Sequence, residues 1–295
     1  MGRIANPGVA GHLAMLAFSV LVAGSFALGA LVANEISPMA LNALRFWVAS
    51  GIVGAIAFGT GAIKHGDFSA PWRYLVLAVV FTIYFVLMFE GLKTAPSVSA
   101  AAIFTLTPIL TAVFGYILLR QVTTSRMVLA LSIGALGAVW VIFRADVSAM
   151  LGFDIGRGEV VYFSGCVSHA IYTPMVRKLN RGETALSFTF GTLVAGAIIL
   201  TVLGLPDIIA TDWTGLRPLV WVTIIYVAVF ASALTFTLLQ FASLRLPSAK
   251  VMAYTYLTPT WVMVWEVGLG NGLPPAMVFV GIGLTIVALL LLLRE

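Results

Sequence analysis

The sequence predicts an all-α integral membrane protein of ten transmembrane helices, arranged as two inverted five-helix repeats. Three observations predict it. The composition is apolar with very little charge, ten apolar stretches of spanning length are joined by short connections, and one motif recurs at a constant offset in both halves.

Composition comes first. Of 295 residues, 61% are hydrophobic and 9% charged, with a mean hydropathy of +1.09. A soluble domain carries roughly 25% charged residues because it must hydrate its outside. This chain cannot do so, and most of its surface is expected to face lipid. The single cysteine, Cys166, excludes an intrachain disulfide and a cysteine-based metal cluster. The net charge of +5 arises from basic residues scattered singly between apolar runs. That pattern sets membrane orientation and does not make a nucleic-acid patch. The first apolar run lacks a small-residue cleavage site followed by a soluble chain, so it reads as a spanning helix and not a signal peptide.

A span needs about 20 apolar residues at ~1.5 Å each to cross a ~30 Å hydrocarbon core. Such runs lie near 12–32, 38–59, 73–92, 96–119, 125–143, 159–178, 185–205, 218–240, 247–269 and 275–293. Each is continuously apolar instead of alternating, which excludes a β-barrel. The longest connections, near 60–72, 144–158 and 206–217, hold Gly, Asp, Arg or Pro and are too short for a soluble module. Lys and Arg in alternate connections divide ten to four. One side has Arg3, Lys64, Arg73, Arg120, Arg126, Arg177, Lys178, Arg181, Arg245 and Arg294; the other has Lys93, Arg144, Arg157 and Arg217. The bias predicts a multi-pass protein of the inner (plasma) membrane with both termini cytoplasmic.

The repeat is the most informative feature. A shift of 151 superimposes Pro96 on Pro247, Ser97 on Ser248, and Leu106-Thr107-Pro108 on Leu257-Thr258-Pro259. A shorter match pairs Phe18-Ser19 with Phe163-Ser164 at a shift of 145. Two halves follow, residues 1–143 and 144–295, forming one transport unit. Five is odd, so the second half enters the membrane from the opposite side, an architecture in which substrate binds where the halves meet.

These features resemble the EamA-type drug/metabolite transporters. The matching residues are Ala43-Leu44-Arg45-Phe46 in the second helix and the doubled Pro-Ser…Leu-Thr-Pro of the fourth and ninth. The likeness covers nearly the whole chain. Many members carry Gly-Glu after those two helices, where this chain has Arg120-Gln121 and Asn271-Gly272, and many carry a Trp in helix 1 that is absent here. The resemblance implies a carrier, with exporters of amino acids, aromatic ones included, as the nearest functional class.

Candidate substrate-binding residues are Phe18, Ser25, Arg45, Tyr84, Phe104, Thr107, His169, Tyr172, Tyr254, Thr258 and Trp261. Tyr254, Thr258, Trp261 and Trp265 recur on one face of helix 9, facing an aromatic, weakly polar cavity or simply a packed helix interface. Pro108 and Pro259 lie twelve residues past Pro96 and Pro247, or ~18 Å along a helix, near the bilayer midplane. Each removes a backbone donor and frees a carbonyl. They are expected to be paired hinges; alternatively they are kinks repaired by the hydroxyls of Thr107 and Thr258. Arg45 either binds a substrate carboxylate or snorkels outward. Glu90 and Lys93 are expected to pair, Lys250 to reach headgroups, and Glu266 has no evident local partner. His169 either relays a proton or bonds across helices.

An enzyme is not indicated. Ser168 and His169 are adjacent and point about 100° apart on a helix, and there is no His-Glu-x-x-His, paired intramembrane Asp or phosphate loop. No cofactor and no metal are expected. The partners are a small-molecule substrate and the lipid bilayer, and the chain is expected as a monomer or a weak homodimer through helices 5 and 10. The walls of the central cavity are expected from helices 1, 3, 4, 6, 8 and 9. The reading is an alternating-access carrier exporting amino acids or related metabolites, or else an uptake permease for a small aromatic or vitamin-like compound.

Overall fold

The computed structural model describes residues 7–143, 145–152, 156–270 and 275–293. Arg3, Arg144 and Arg294 of the charge count, and Asn271-Gly272, lie outside the described residues. The described residues are 80% helical, with no strand among them.

Helices occupy every expected stretch: α1 (Pro7–Val32), α2 (Pro38–Gly59), α3 (Trp72–Leu92), α5 (Ser125–Ile142), α6 (Arg157–Leu179), α7 (Ala185–Leu203) and α10 (Val278–Leu293) are single pieces. Three are interrupted. α4 breaks into Ser97–Phe104 and Thr107–Leu119, and α9 into Ser248–Ala253, a 3₁₀ turn Tyr254–Leu257, and Thr258–Gly268. α8 comprises Pro218–Ala228, a π turn Val229–Leu234 and Thr235–Ser243. Five helices, α1, α2, α3, α7 and α8, are long and apolar enough by length and composition to cross a membrane. Short helices Val147–Leu151 and Leu205–Ala210 form where the sequence predicts turns.

Local chemistry sets the boundaries. Ser37, Thr124 and Thr184 accept hydrogen bonds from first-turn N–H groups of α2, α5 and α7, satisfying donors that have no helical partner. Pro38 and Pro218 occupy first-turn positions, where a missing N–H costs nothing. The breaks in α4 and α9 fall at the same place in the repeat, immediately before Thr107-Pro108 and Thr258-Pro259.

Packing has a pseudo-twofold pattern. α2 packs on α7, α5 on α10 and α4 on α9; α1 packs on α8 and α9, as α6 packs on α3 and α4. Exchanging each helix with its counterpart five places along maps these contacts onto themselves. Two crossings are glycine-tight. A Cβ on Gly137 of α5 would sit 2.7 Å from the Gly281 carbonyl oxygen of α10, and one on Gly91 of α3 would sit 2.8 Å from the Gly158 oxygen of α6. α5 and α10 thus spend their small-residue faces on each other within the chain. Their outer faces stay apolar and open, with Leu136 68% and Phe279 63% exposed, as a lipid-facing helix requires.

Connections group into two sets. Thr184 Oγ1 donates to the Ala62 carbonyl, and the Ser248 N–H to Gln121 Oε1. In the other set Arg217 pairs with Glu35, Asn34 donates to the Lys93 carbonyl, and Trp140 to the Met277 carbonyl. The first set contains a buried polar knot joining the halves. Arg73 pairs with Glu183 at 2.5 Å, with side chains 1% and 4% exposed, and donates to the Leu179 carbonyl. Ser187 Oγ donates to Asp67 Oδ2 at 2.6 Å, and Tyr74 OH to the Asp67 carbonyl at 2.7 Å.

Burial alone would raise the Glu183 carboxyl; hydrogen bonds from Arg73 and the Arg181 N–H outweigh it and hold the group below its ordinary 4.5. With a lowered folded value, this stabilisation is complete above the ordinary carboxylate range and is lost as pH falls through the folded value. Unfolding in detergent should therefore show Tm dropping on the acid side. Glu183→Gln should lower Tm at neutral pH, by an amount corresponding to ~3 kcal/mol, and flatten that acid limb. Parallel acid profiles for the two proteins would remove Glu183 from this account.

Candidate functional site

α3 presents Phe81, Tyr84 and Phe85 at helical spacing toward α6 and α8. Phe81 stacks on Tyr172 of α6 with centroids 4.0 Å apart and planes 7° apart. Tyr84 meets the His169 ring edge-on at 4.4 Å, and Phe104 of α4 meets it at 5.7 Å. Phe26 of α1 closes one side, 5.5 Å from Phe104, and Phe236 of α8 another, 4.3 Å from Phe81. Tyr84, Phe104, His169 and Tyr172, expected on separate helices around a cavity, are thus brought together, all 2% exposed or less. Rings meet rings directly in edge and offset geometries that favour packing.

Polar atoms are sparse inside this cluster and incompletely satisfied. Gln240 Nε2 donates to the Tyr172 hydroxyl at 3.0 Å, while Gln240 Oε1 and His169 Nδ1 have no hydrogen-bond partner. Ser25, Thr111 and Thr258 also bury unpartnered hydroxyls. Buried polar groups are nearly always paired, so these unpaired atoms make the cluster a candidate site for a polar guest. Neither Thr107 nor Thr258 returns its hydroxyl to the backbone, so the expected repair of the proline kinks is not made. Ser168 donates to the Val80 carbonyl at 2.6 Å, away from its neighbour His169.

Of the remaining candidates, Phe18, Tyr254 and Trp261 lie on a second seam between α1 and α9. Trp261 Nε1 donates to Ser19 Oγ at 3.2 Å, and Tyr254 OH bonds His12 Nδ1 at 3.0 Å. Trp265 meets Tyr226 of α8 edge-on at 5.5 Å. The helix 9 stripe thus contacts α1 and α8, with Phe18 buried alongside on α1. Both groups belong to one continuous core.

Three charged residues take partners on other helices. Arg45 does not snorkel: it is fully buried and donates to Ser232 Oγ at 2.5 Å and the Ala231 carbonyl at 2.6 Å, inside the π turn of α8. Lys250 does not reach headgroups; it is buried and donates to the Leu292 carbonyl of α10 at 3.0 Å. Glu266 accepts from Ser97 Oγ across the α4–α9 contact at 3.2 Å. Glu90 and Lys93 pair at 2.7 Å as expected. Arg120 is the left-handed cap of α4, at φ 56°, a conformation that glycine adopts at no steric cost. Gln121, beside it, caps the first turn of α9 through Ser248.

Sequence reasoning missed Phe81, Phe85, Tyr162, Phe236, Ser19 and the π turn. The spacing Phe81-Tyr84-Phe85-Met88 would have exposed the first two. Nothing local signals a π turn, because its extra residue is accommodated by Arg45 from another helix.

In this apolar, all-helical bundle α4 and α9 break at matching buried positions. The chain belongs to the EamA-like transporter family, matching it over residues 9–143 and again over 156–294. It is 28% identical over 280 residues to the uncharacterized transporter YyaM of Bacillus subtilis (strain 168), covering 94% of this chain and 91% of that one. It is 30% identical over 190 residues to the S-adenosylmethionine/S-adenosylhomocysteine transporter of Chlamydia muridarum (strain MoPn / Nigg), covering 60% and 58%. A solved structure described only as a crystal structure of a protein shares the fold, with TM-score 0.74, 18% identity, and 97% and 96% of the two chains covered.

The Tyr172–Gln240 bond ties α6 to α8 at the centre of the cluster. Tyr172→Phe should lower stability by ~1–2 kcal/mol, since Gln240 is then left with both polar atoms unmet in an apolar site. Tyr172→Phe/Gln240→Leu should recover part of the loss. Equal Tm values for Tyr172→Phe and wild type in detergent would show that the bond contributes nothing.

Proposed function

We propose that this chain is an inner-membrane carrier of ten spans, built from inverted halves at 1–143 and 144–295, which exports amino acids or related small metabolites by alternating access. The observation that supports this most is the matched interruption of α4 and α9 before Pro108 and Pro259, beside a buried cluster of rings and unpaired polar atoms. Irregular backbone at membrane depth is tolerated where it is buried in protein or lines a route. The pseudo-twofold packing and the alternation of connections support the inverted arrangement.

In this reading Tyr84, Phe104, Thr107, His169 and Tyr172 form one wall of the route and Phe18, Ser25, Tyr254, Thr258 and Trp261 the other. Each wall draws on both halves, so rocking of the halves reshapes both walls together. Rings and neutral hydroxyls suit an amphipathic or zwitterionic molecule better than a polyanion. The Chlamydia relative is named for substrates containing both a purine and an amino-acid group, which fits such a surface. The ten-to-four Lys/Arg bias supports cytoplasmic termini: a phosphatase fused at Glu295 should be inactive and a fluorescent reporter there should glow, and the reverse pattern would overturn the topology.

Expression in cells challenged with toxic amino-acid analogues, together with radiolabelled efflux, tests the activity. Resistance with faster efflux is the expected result; rescue of auxotrophs at low external substrate would instead make the protein an uptake permease for a small aromatic or vitamin-like compound. Pro108→Ala and Pro259→Ala should fold with Tm close to wild type but lower flux in liposomes several-fold. Well-folded variants moving substrate at the wild-type rate would end the hinge assignment.

A further inference from the structure

Arg45 is the largest electrostatic anomaly in the molecule. Its side chain is fully buried in α2. Its three bonds go to neutral oxygens: Nε to Ser232 Oγ at 2.5 Å, Nη2 to the Ala231 carbonyl at 2.6 Å, and Nη1 to Asn42 Oδ1 at 3.4 Å. The Phe85 ring covers one face, with its centroid 4.0 Å from the guanidinium carbon, and Phe236 lies at 6.0 Å. The other buried arginine, Arg73, has Glu183 opposite it. Among the described residues no carboxylate pairs with Arg45.

Structure alone does not call for this charge. The Ala231 carbonyl in the π turn and the Ser232 hydroxyl are held equally well by a neutral amide, without burying an uncompensated cation. A guanidinium has five N–H donors in a planar fork, so two remain without a protein acceptor here. Its charge is left over for a ligand. One cation with two free parallel donors matches a monovalent, two-oxygen acid better than a phosphate dianion. The surroundings name the rest of the ligand. Phe85 contacts Phe81 at 4.9 Å and Tyr84 at 4.6 Å, and Phe81 stacks on Tyr172, so the cationic head closes one end of a continuous run of rings.

We infer that Arg45 is the anion anchor of the substrate site, and that the substrates are small arylcarboxylates or aromatic amino acids. The inference rests on the transport reading and narrows it. With the site empty, Ser232 and the Ala231 carbonyl hold the guanidinium; a carboxylate takes over as acceptor, and the π turn in α8 is the local irregularity that lets those oxygens withdraw.

The test is binding by purified protein in detergent, read as thermal shift, with three acid–amide pairs: phenylacetate and phenylacetamide, indole-3-acetate and indole-3-acetamide, L-phenylalanine and L-phenylalaninamide. At least one acid should raise Tm and bind at least about tenfold more tightly than its amide. Arg45→Lys, which keeps the charge but loses the fork, should weaken that acid several-fold, and Arg45→Gln should abolish the preference. Ser232→Ala leaves the guanidinium in place and should retain the acid preference, which keeps the inference testable if Arg45→Gln does not fold. No shift with any acid, equal binding of acids and amides, or an unchanged preference in Arg45→Lys would overturn it. Acid-selective binding without flux in liposomes would sink the transport reading and leave the anchor standing; flux of acids and amides alike would do the opposite.

Discussion

A backbone carbonyl released inside an apolar helix has no water to turn to, and each such group is costly until something in the protein accepts it. The architecture is organised around where such releases occur. α4 and α9 are interrupted before Thr107-Pro108 and Thr258-Pro259, and α8 carries a π turn at Val229–Leu234. Each irregular stretch buries hydroxyl side chains, Thr105 and Thr107 in α4, Ser232 in α8, and Thr255 and Thr258 in α9. In α8 the resolution is visible atom by atom: Arg45 reaches the Ala231 carbonyl, and Ser232 Oγ donates back to the Val227 carbonyl at 2.7 Å.

The two buried arginines show how the same side chain serves different ends. Arg73 is matched by Glu183 and bound to the Leu179 carbonyl of the second half, so its charge is cancelled where it stands and the contact acts as a joint between halves. Arg45 has rings and neutral oxygens around it, so its field is unspent. A fixed, partly donor-satisfied cation beside a bank of aromatic faces is preorganised for a carboxylate attached to a ring, because neither partner has to be rearranged before binding.

Close helix approach makes this arrangement possible. Gly137 against Gly281 and Gly91 against Gly158 let backbones touch, which substitutes in lipid for the hydrophobic drive that is absent between helices there. With α5 and α10 locked together at the edge, the helices of the ring cluster and of the α1–α9 seam share one core while remaining two distinct polar-aromatic groups.

The amino-acid sequence by itself determined the membrane class, the extents of the helices and the doubling. These follow from quantities read along the chain: run length against bilayer thickness, loop charge, and a motif repeated in one register. It also placed the breaks in α4 and α9, because proline acts on its own helix. What only the tertiary structure decided is which side chains meet. Tyr84 and His169 face each other because α3 and α6 cross at glycines, whereas Tyr254 and Trp261 turn to His12 and Ser19 on α1. Arg45 is buried and Lys250 reaches α10 because partners more than 180 and more than 40 residues away offer carbonyls at the right depth. Helix periodicity fixes a side chain's direction around its own axis; the neighbour it meets depends on how ten axes pack, and that is set by contacts no local pattern encodes.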